Sequence, residues 1–235
     1  MSPEELQARV LYRDTVAIVI DKPAGFAVHA GPRGGENLEQ LFDHLRFGLP
    51  RPPALAHRLD RDTSGCLVLG RHRKGLQRLG KLFSQGKVEK TYWAVVLGKP
   101  PAAEGRIDKP ILKITPRSGW RMVTDPKGQA AVTDYKVLGR GDGLSWLEIR
   151  LHTGRTHQIR VHMEAIGCPV LGDPIYGGGI AARPGTFQHL HARRIVVPLK
   201  TAQPPIDVTA PVPAHMRAAL TACGWPGSSA DQLRS

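Results

Sequence analysis

His57-Arg58-Leu59-Asp60-Arg61-Asp62-Thr63-Ser64-Gly65 stands immediately before the apolar run Cys66–Leu69, and it is the densest chemical cluster in the chain. Two carboxylates, three cationic or titratable groups and two hydroxyls crowd into nine residues. A solvated turn needs polarity, but it does not need a lone Leu59 between ions or a glycine where the strand begins. Strands commonly present catalytic groups on the loops they hold in place. The residues alone leave two readings open, a functional loop and a turn closed by an ion pair.

Working outward, Ala17–Ile20 reads as a buried strand stopped by Asp21-Lys22-Pro23-Ala24-Gly25. The stretch from Gly31 to Gly35 is a loop, and Asn37 is placed to cap a helix running to about Phe47. After Cys66–Leu69 comes a basic helix with Leu76, Leu79, Leu82 and Phe83 on one face. Thr91–Leu97, Ala130–Leu138 and Ser145–Leu151 read as strands, and Ile195–Val197 as a late one. His157–Ile166 reads as a helix ended by Gly167 and Pro169. Helices and strands interleave irregularly, which predicts an α+β fold with a mixed sheet. One catalytic domain is expected over 1–225, with a small, polar and disordered tail over 226–235.

Composition bounds the function. Hydrophobic residues make up 41% and charged residues 23%, an ordinary balance for a globular chain. The longest apolar run, around Val16–Ile20, is far too short to span a bilayer, and the start MSPEELQARV lacks the features of a secretory signal. A cytoplasmic protein is expected. Cys66, Cys168 and Cys223 stand far apart, which argues against a disulfide framework or a zinc site. His152, His157 and His162 recur every five residues, a spacing that scatters them around a helix, so no metal is expected. The 33 basic residues against 20 acidic ones leave a net charge of +13. Such an excess points to a polyanionic partner, without distinguishing RNA from DNA or anionic lipid.

HRLDRDTSG resembles the signature H-R-L-D-x-x-T-S-G of the RluA family of RNA pseudouridine synthases, with every fixed position filled. Further segments resemble the same family in the same order. They are Asp21–His29 (DKPAGFAVH), Val88–Tyr92 (VEKTY), Thr153–Met163 (TGRTHQIRVHM), Leu171–Tyr176 (LGDPIY) and Leu190–Ala192 (LHA). The resemblance runs from about Val10 to Pro198. It implies a pseudouridine synthase fold, a mixed and mostly antiparallel sheet with flanking helices and a central basic cleft. It also implies an isomerase that needs no cofactor and converts chosen uridines of tRNA or rRNA to pseudouridine.

The same resemblance assigns roles. Asp60 matches the catalytic aspartate, Arg160 the arginine that pairs with it, and Tyr92 the tyrosine that lies against the target base. Arg58 matches an arginine that enters the RNA stack when the uridine leaves it, because an enzyme acting on a base must extract it. Arg61, Arg155 and His157 join it as expected RNA contacts. Arg71, Arg73, Lys74, Arg78, Lys81, Lys87 and Lys90 form an expected phosphate-contacting face, which supplies affinity rather than sequence choice. Leu59 packs to fix the loop. Only about fifteen residues precede the first strand, so the extra N-terminal RNA-binding domain of many relatives is expected to be absent. No protein partner is implied, and a monomer is expected.

Two rival readings share these residues. Asp60-Arg61-Asp62-Thr63 also fits D-x-D-x-T, the nucleophile motif of magnesium-dependent haloacid-dehalogenase-type phosphatases, although Ala56-His57-Arg58 interrupts the apolar strand that motif requires. The other rival is a catalytically silent RNA-binding protein of the same fold.

Overall fold

A computed structural model describes residues 1–31, 34–117, 119–177, 187–199 and 203–227. In chain order the helices and strands begin with α1 (Pro3–Ala8), β1 (Val10–Arg13), β2 (Ala17–Lys22), β3 (Ala54–Leu55), β4 (Ser64–Gly70) and α2 (Arg73–Ser84). They continue with β5 (Glu89–Leu97), β6 (Glu104–Asp108), β7 (Ile111–Ile114), β8 (Arg121–Thr124), β9 (Val132–Gly141) and β10 (Leu144–Leu151). The last are α3 (Gln158–Ala165), β11 (Leu190–Val197), β12 (Ile206–Thr209) and α4 (Ala214–Ala222). The mixture of sheet and flanking helices is the α+β class expected.

The chain gathers into two compact units, one of 1–90 with 192–211 and the other of 91–191 with 212–235. The single catalytic domain expected over 1–225 spans all of the first unit and the second as far as residue 225. In the first unit β2 is antiparallel to both β1 and β4, and Lys22 stands opposite Gly65. β3 folds back on β4, with Leu55 opposite Leu69. β11 follows β4 in the strand order and also pairs antiparallel with β12, Ile195 opposite Val208. β4 is buried along its whole length, as a central strand covered on both faces must be. Ala17, Val19, Cys66, Val68, Leu79, Val88, Ile195 and Val208 fill one core of this unit. The expected helix after Asn37 is a 310 helix, Leu38–Leu45, that buries Leu38, Phe42 and Leu45.

In the second unit β10 lies antiparallel between β5 and β9, and β6 extends the set from β9. A core of Val95, Trp146, Met216, Leu220 and Trp225 seats α4. A smaller cluster of Ile111, Met122, Ala131, Val161 and Tyr176 joins the separate β7–β8 hairpin to α3. The tail expected to be disordered lies mostly outside the described residues, which end at 227.

Candidate active site

The HRLD segment is the connection of a hairpin. The Ala56 N–H donates to the Val68 carbonyl at 3.0 Å, carrying the β3–β4 ladder one step further. The Val68 N–H then donates to Nε2 of His57 at 3.1 Å. His57 also stacks on Phe83 of α2, with ring centroids 4.5 Å apart. Loss of hydration, and secondarily the charge of Lys90, hold its imidazole down to about 3. It is therefore a neutral acceptor that closes the base of the loop. From there the chain leaves the sheet and returns at Ser64. The Thr63 N–H donates to the Asp60 carbonyl at 3.2 Å, so Asp60 opens a tight turn. Leu59, Thr63 and Ser64 are buried, while Arg58 and Arg61 are exposed. Leu59 thus anchors the loop, as expected of it.

Lys22 received no role from the sequence beyond membership of the early DKPAGFAVH segment, and it is the second anchor. Its side chain is 0% exposed. Nζ donates to the carbonyls of Pro23 at 2.7 Å, Phe26 at 2.7 Å and Arg61 at 2.8 Å. Three acceptors match the three protons of an ammonium. The Arg61 Nε–H returns the tie to the Gly25 carbonyl at 3.0 Å. The turn after β2 and the Asp60 loop are thereby held together by two cationic side chains. Burial pulls the Lys22 ammonium down to about 7, and the nearby charges of Asp62, Asp60 and Asp21 oppose that fall. Its charge therefore sits within the field of the two loop carboxylates. Gly65, opposite Lys22, has φ +103°, and a side chain there would meet the Ala192 carbonyl oxygen at 2.3 Å.

The other two residues matched to catalytic positions belong to the second unit. Tyr92 is a buried residue of β5, opposite Ile149 of β10. Arg160 is buried on α3 and makes a two-pronged pair with Asp173, Nε to Oδ2 at 2.6 Å and Nη2 to Oδ1 at 2.9 Å. Oδ1 of Asp173 also accepts from the Ile175 and Tyr176 N–H groups at 2.9 and 3.0 Å. The Tyr176 ring lies 4.9 Å from the guanidinium carbon. Gln158 positions the segment before α3. Its Oε1 accepts from the Arg155 N–H at 3.0 Å and from the Thr153 hydroxyl at 2.7 Å, and its Nε2 donates to the Val132 carbonyl at 3.0 Å. Asp173 and Gln158 lie inside segments that the sequence had matched, but neither had been given a task.

The remaining expected RNA contacts divide by surroundings. Arg73, Lys74, Arg78 and Lys81 are exposed along α2, whose opposite face buries Gly75 and Leu79, and Lys87 is exposed after it. Lys90 is partly buried, which lowers its ammonium from its ordinary value. Arg71 reaches the carbonyls of Asp14, Arg46 and Phe47 at 2.7, 3.0 and 3.1 Å, and so braces the fold. Arg58 is exposed, with Nη1 3.5 Å from Nε2 of His29. Arg155 is exposed, and its Nε–H donates to the Ala130 carbonyl at 3.0 Å. His157 hydrogen-bonds Tyr176. His152 and His162 have separate partners, the former Asp134 and the latter Thr133 and the Lys109 carbonyl.

Comparison with known proteins identifies the family and the fold. Residues 16–165 match the family model described as RNA pseudouridylate synthase. The chain is 46% identical over 210 residues to an uncharacterised RNA pseudouridine synthase of Zymomonas mobilis, covering 88% of this chain and 95% of that protein. It is 35% identical over 249 residues to the ribosomal large subunit pseudouridine synthase D of Xanthomonas campestris, covering 99% of this chain and 74% of the relative. Among solved structures, human RNA pseudouridylate synthase domain containing 4 superimposes with a TM-score of 0.79 at 27% identity, over 94% of this chain and 95% of that one. The phosphatase reading of Asp60–Thr63 falls with these matches. No helix among the described residues is long and apolar enough to cross a membrane. By the motif over the anchored Asp60 loop, the family model and relatives along nearly its whole length, the chain belongs to the RNA pseudouridylate synthase family and is an isomerase acting on RNA.

Proposed function

We propose that this enzyme converts uridine to pseudouridine in ribosomal RNA of the large subunit, with Asp60 as its catalytic carboxylate. The substrate class follows the Xanthomonas relative, a ribosomal large subunit pseudouridine synthase, which aligns with 99% of this chain. The reaction breaks the bond between uracil N1 and the ribose, turns the base, and rejoins it through C5. Atoms balance without any co-reactant, so no cofactor is required by the stoichiometry. An ionised carboxylate serves each route open to it, whether it attacks the base, attacks the ribose or promotes elimination.

The observation that carries this reading is the mounting of Asp60. The residue opens a turn whose backbone is fixed by the Lys22 ammonium at the next carbonyl, and that buried charge acts on the Asp60 carboxylate. A reactive group held by packing and hydrogen bonds rather than by a free loop is what a positioned nucleophile requires. We assign Arg160 as the cation paired with the catalytic carboxylate. Its planar donor set, oriented by Asp173, supports that assignment. Tyr92 is assigned to the face of the target base, where stacking is worth about 1–3 kcal/mol per base. Arg58 is assigned to the gap left in the RNA stack, and the exposed cations of α2, with Arg61 and Arg155, to phosphates. The enzyme is taken to work as a cytoplasmic monomer.

Chemical mapping of pseudouridines in RNA from cells with and without the gene tests the reading. The expected result is one or more large-subunit sites present only with the gene and restored by the wild-type chain in chelator-treated extracts. Identical maps in the two strains would overturn it.

A further inference from the structure

The β7–β8 hairpin bears an aromatic surface that the assignments above leave unused. Trp120, just before β8, is 47% exposed and is one of the few large apolar side chains on the described surface. Isolated exposed apolar groups are ordinary, but this one is not isolated. Its ring stacks on His157, with centroids 5.1 Å apart and planes inclined by 26°. The Lys113 ammonium lies over the ring, 5.1 Å from its centre. Arg117 is exposed at the same tip, and the stretch Ile111–Arg121 contains no acidic residue.

The support under Trp120 is rigid. His157 adopts φ 55° and ψ 20°, a left-handed conformation that residues with side chains enter only when their surroundings hold them there. The Tyr176 hydroxyl accepts from the Met122 N–H at 3.0 Å, so its own proton is available to Nδ1 of His157, 2.9 Å away. That hydrogen bond, with the edge contact between the two rings 5.7 Å apart, fixes the plane of the His157 ring. The chain Met122–Tyr176–His157 therefore presents Trp120 as a flat, oriented π surface. The Tyr176 ring continues to Arg160, 4.9 Å away.

We propose that Trp120, backed by His157 and flanked by Lys113 and Arg117, is a stacking platform for an unpaired base of the substrate RNA other than the target uridine. An indole accepts any base face; the exposed Lys113 ammonium swings off the ring as a base stacks on it and, with Arg117, holds the phosphates beside it, the combination that single-stranded RNA selects. The proposal rests on the RNA-modifying reading above and adds a second contact to it. A protein partner would call for an apolar patch with polar complement, whereas this tip carries cations only. The platform contributes to substrate binding and leaves the chemical step alone.

The test uses the full chain and two variants, Trp120→Ala and Trp120→Phe. RNA extracted from cells lacking the gene serves as substrate, and a mixed-sequence single-stranded RNA 12-mer as binding probe. The expected Trp120→Ala result is about tenfold weaker binding of the 12-mer and a KM raised by a similar factor, with kcat within about twofold. Trp120→Phe should bind within about twofold of wild type, because a smaller ring still stacks. The 12-mer should quench wild-type tryptophan fluorescence, and less in Trp120→Phe, since Trp146 and Trp225 are buried and the partly buried Trp93, packed against Trp146, supplies only the quenching common to both proteins. Unchanged 12-mer binding by Trp120→Ala, while the wild type forms pseudouridine normally, would overturn the platform and leave the enzyme assignment standing. So would loss of a protein association without loss of RNA binding, or a fall in kcat alone. If the wild type formed no pseudouridine in that RNA, the functional reading would fail and the platform with it.

Discussion

Arg160 and Asp173 face each other through two parallel hydrogen bonds, 2.6 and 2.9 Å long, and both side chains are buried. Fork-to-carboxylate geometry of this kind fixes the plane of the guanidinium as well as its position. Asp173 is itself held by two backbone N–H groups at the turn that follows it. The arginine matched to the catalytic partner therefore owes its aim to a carboxylate thirteen positions further along the chain.

Removing that carboxylate should leave a buried guanidinium short of charge. Asp173→Ala is expected to lose about 3–5 kcal/mol of stability, the range for breaking a buried pair from one side. Asp173→Asn keeps the shape and part of the hydrogen bonding, and should fold better while turning over at least tenfold more slowly. Denaturant unfolding and single-turnover pseudouridine formation measure the two effects. Wild-type turnover in Asp173→Asn would show that the aim of Arg160 does not matter.

Lys22 gives a second handle on the same machinery. In Lys22→Met the carbonyls of Pro23, Phe26 and Arg61 lose their shared donor. These acceptors are part-buried, so each costs less than the about 1–3 kcal/mol of a fully buried one, and a total loss of about 1–3 kcal/mol is expected in chemical denaturation. Product formation should fall even at temperatures where the variant is fully folded, because the Asp60 turn is no longer fixed. A stable, fully active Lys22→Met would remove the loop anchor from this account.

Gly65 tests the same loop from its other end. Its φ of +103° is unsuited to a residue with a side chain, and a Cβ would fall 2.3 Å from the Ala192 carbonyl oxygen. The obstacle is backbone, so it cannot rotate away. Gly65→Ala is expected to cost at least about 2 kcal/mol and to lower the melting temperature measurably. An unchanged melting temperature would mean that β4 and β11 can part at no cost.

Acid should loosen the loop through His57. Its folded-state value of about 3 lies below the ordinary imidazole value of 6.5, so the unfolded chain binds the extra proton more readily. The stabilising contribution is complete above about pH 6.5 and is lost progressively as pH falls toward 3. His215, lowered to about 4 chiefly by burial, acts in the same direction. His57→Gln retains an acceptor near the Nε2 position for the Val68 N–H and lacks the titration. Its stability should decline less between pH 6.5 and 4 than that of wild type, and parallel curves would contradict the assignment.

The parts of the fold that were legible in the sequence are those where burial leaves a pattern. Cys66–Leu69 is an uninterrupted apolar run because β4 is covered on both faces, and Leu76, Leu79, Leu82 and Phe83 recur with helical period because one side of α2 packs on the core. The segment after Asn37 has the same helical spacing, which does not distinguish a 310 helix from an α-helix. α4 escaped notice because Pro211 and Pro213 precede it and small residues fill it, so its apolar face, Met216 and Leu220, looks sparse. β7 and β8 are too short to show a period. The motif match is what nominates Asp60, Tyr92 and Arg160, whereas the tasks of Lys22, Asp173 and Gln158 lie in backbone carbonyls, N–H groups and a guanidinium brought to them by folding. Trp120 had no periodic neighbour to mark it, and its meaning depends on a histidine thirty-seven positions away.

The most direct measurement compares wild type with Asp60→Asn on RNA from cells lacking the gene, following pseudouridine formation and RNA affinity in the same preparation. Asparagine preserves size and the turn at Thr63, so fold and binding should persist, with affinity within about threefold. No pseudouridine should form even at high enzyme excess. Product appearing at the wild-type rate in Asp60→Asn would contradict the assignment of this carboxylate to the chemical step.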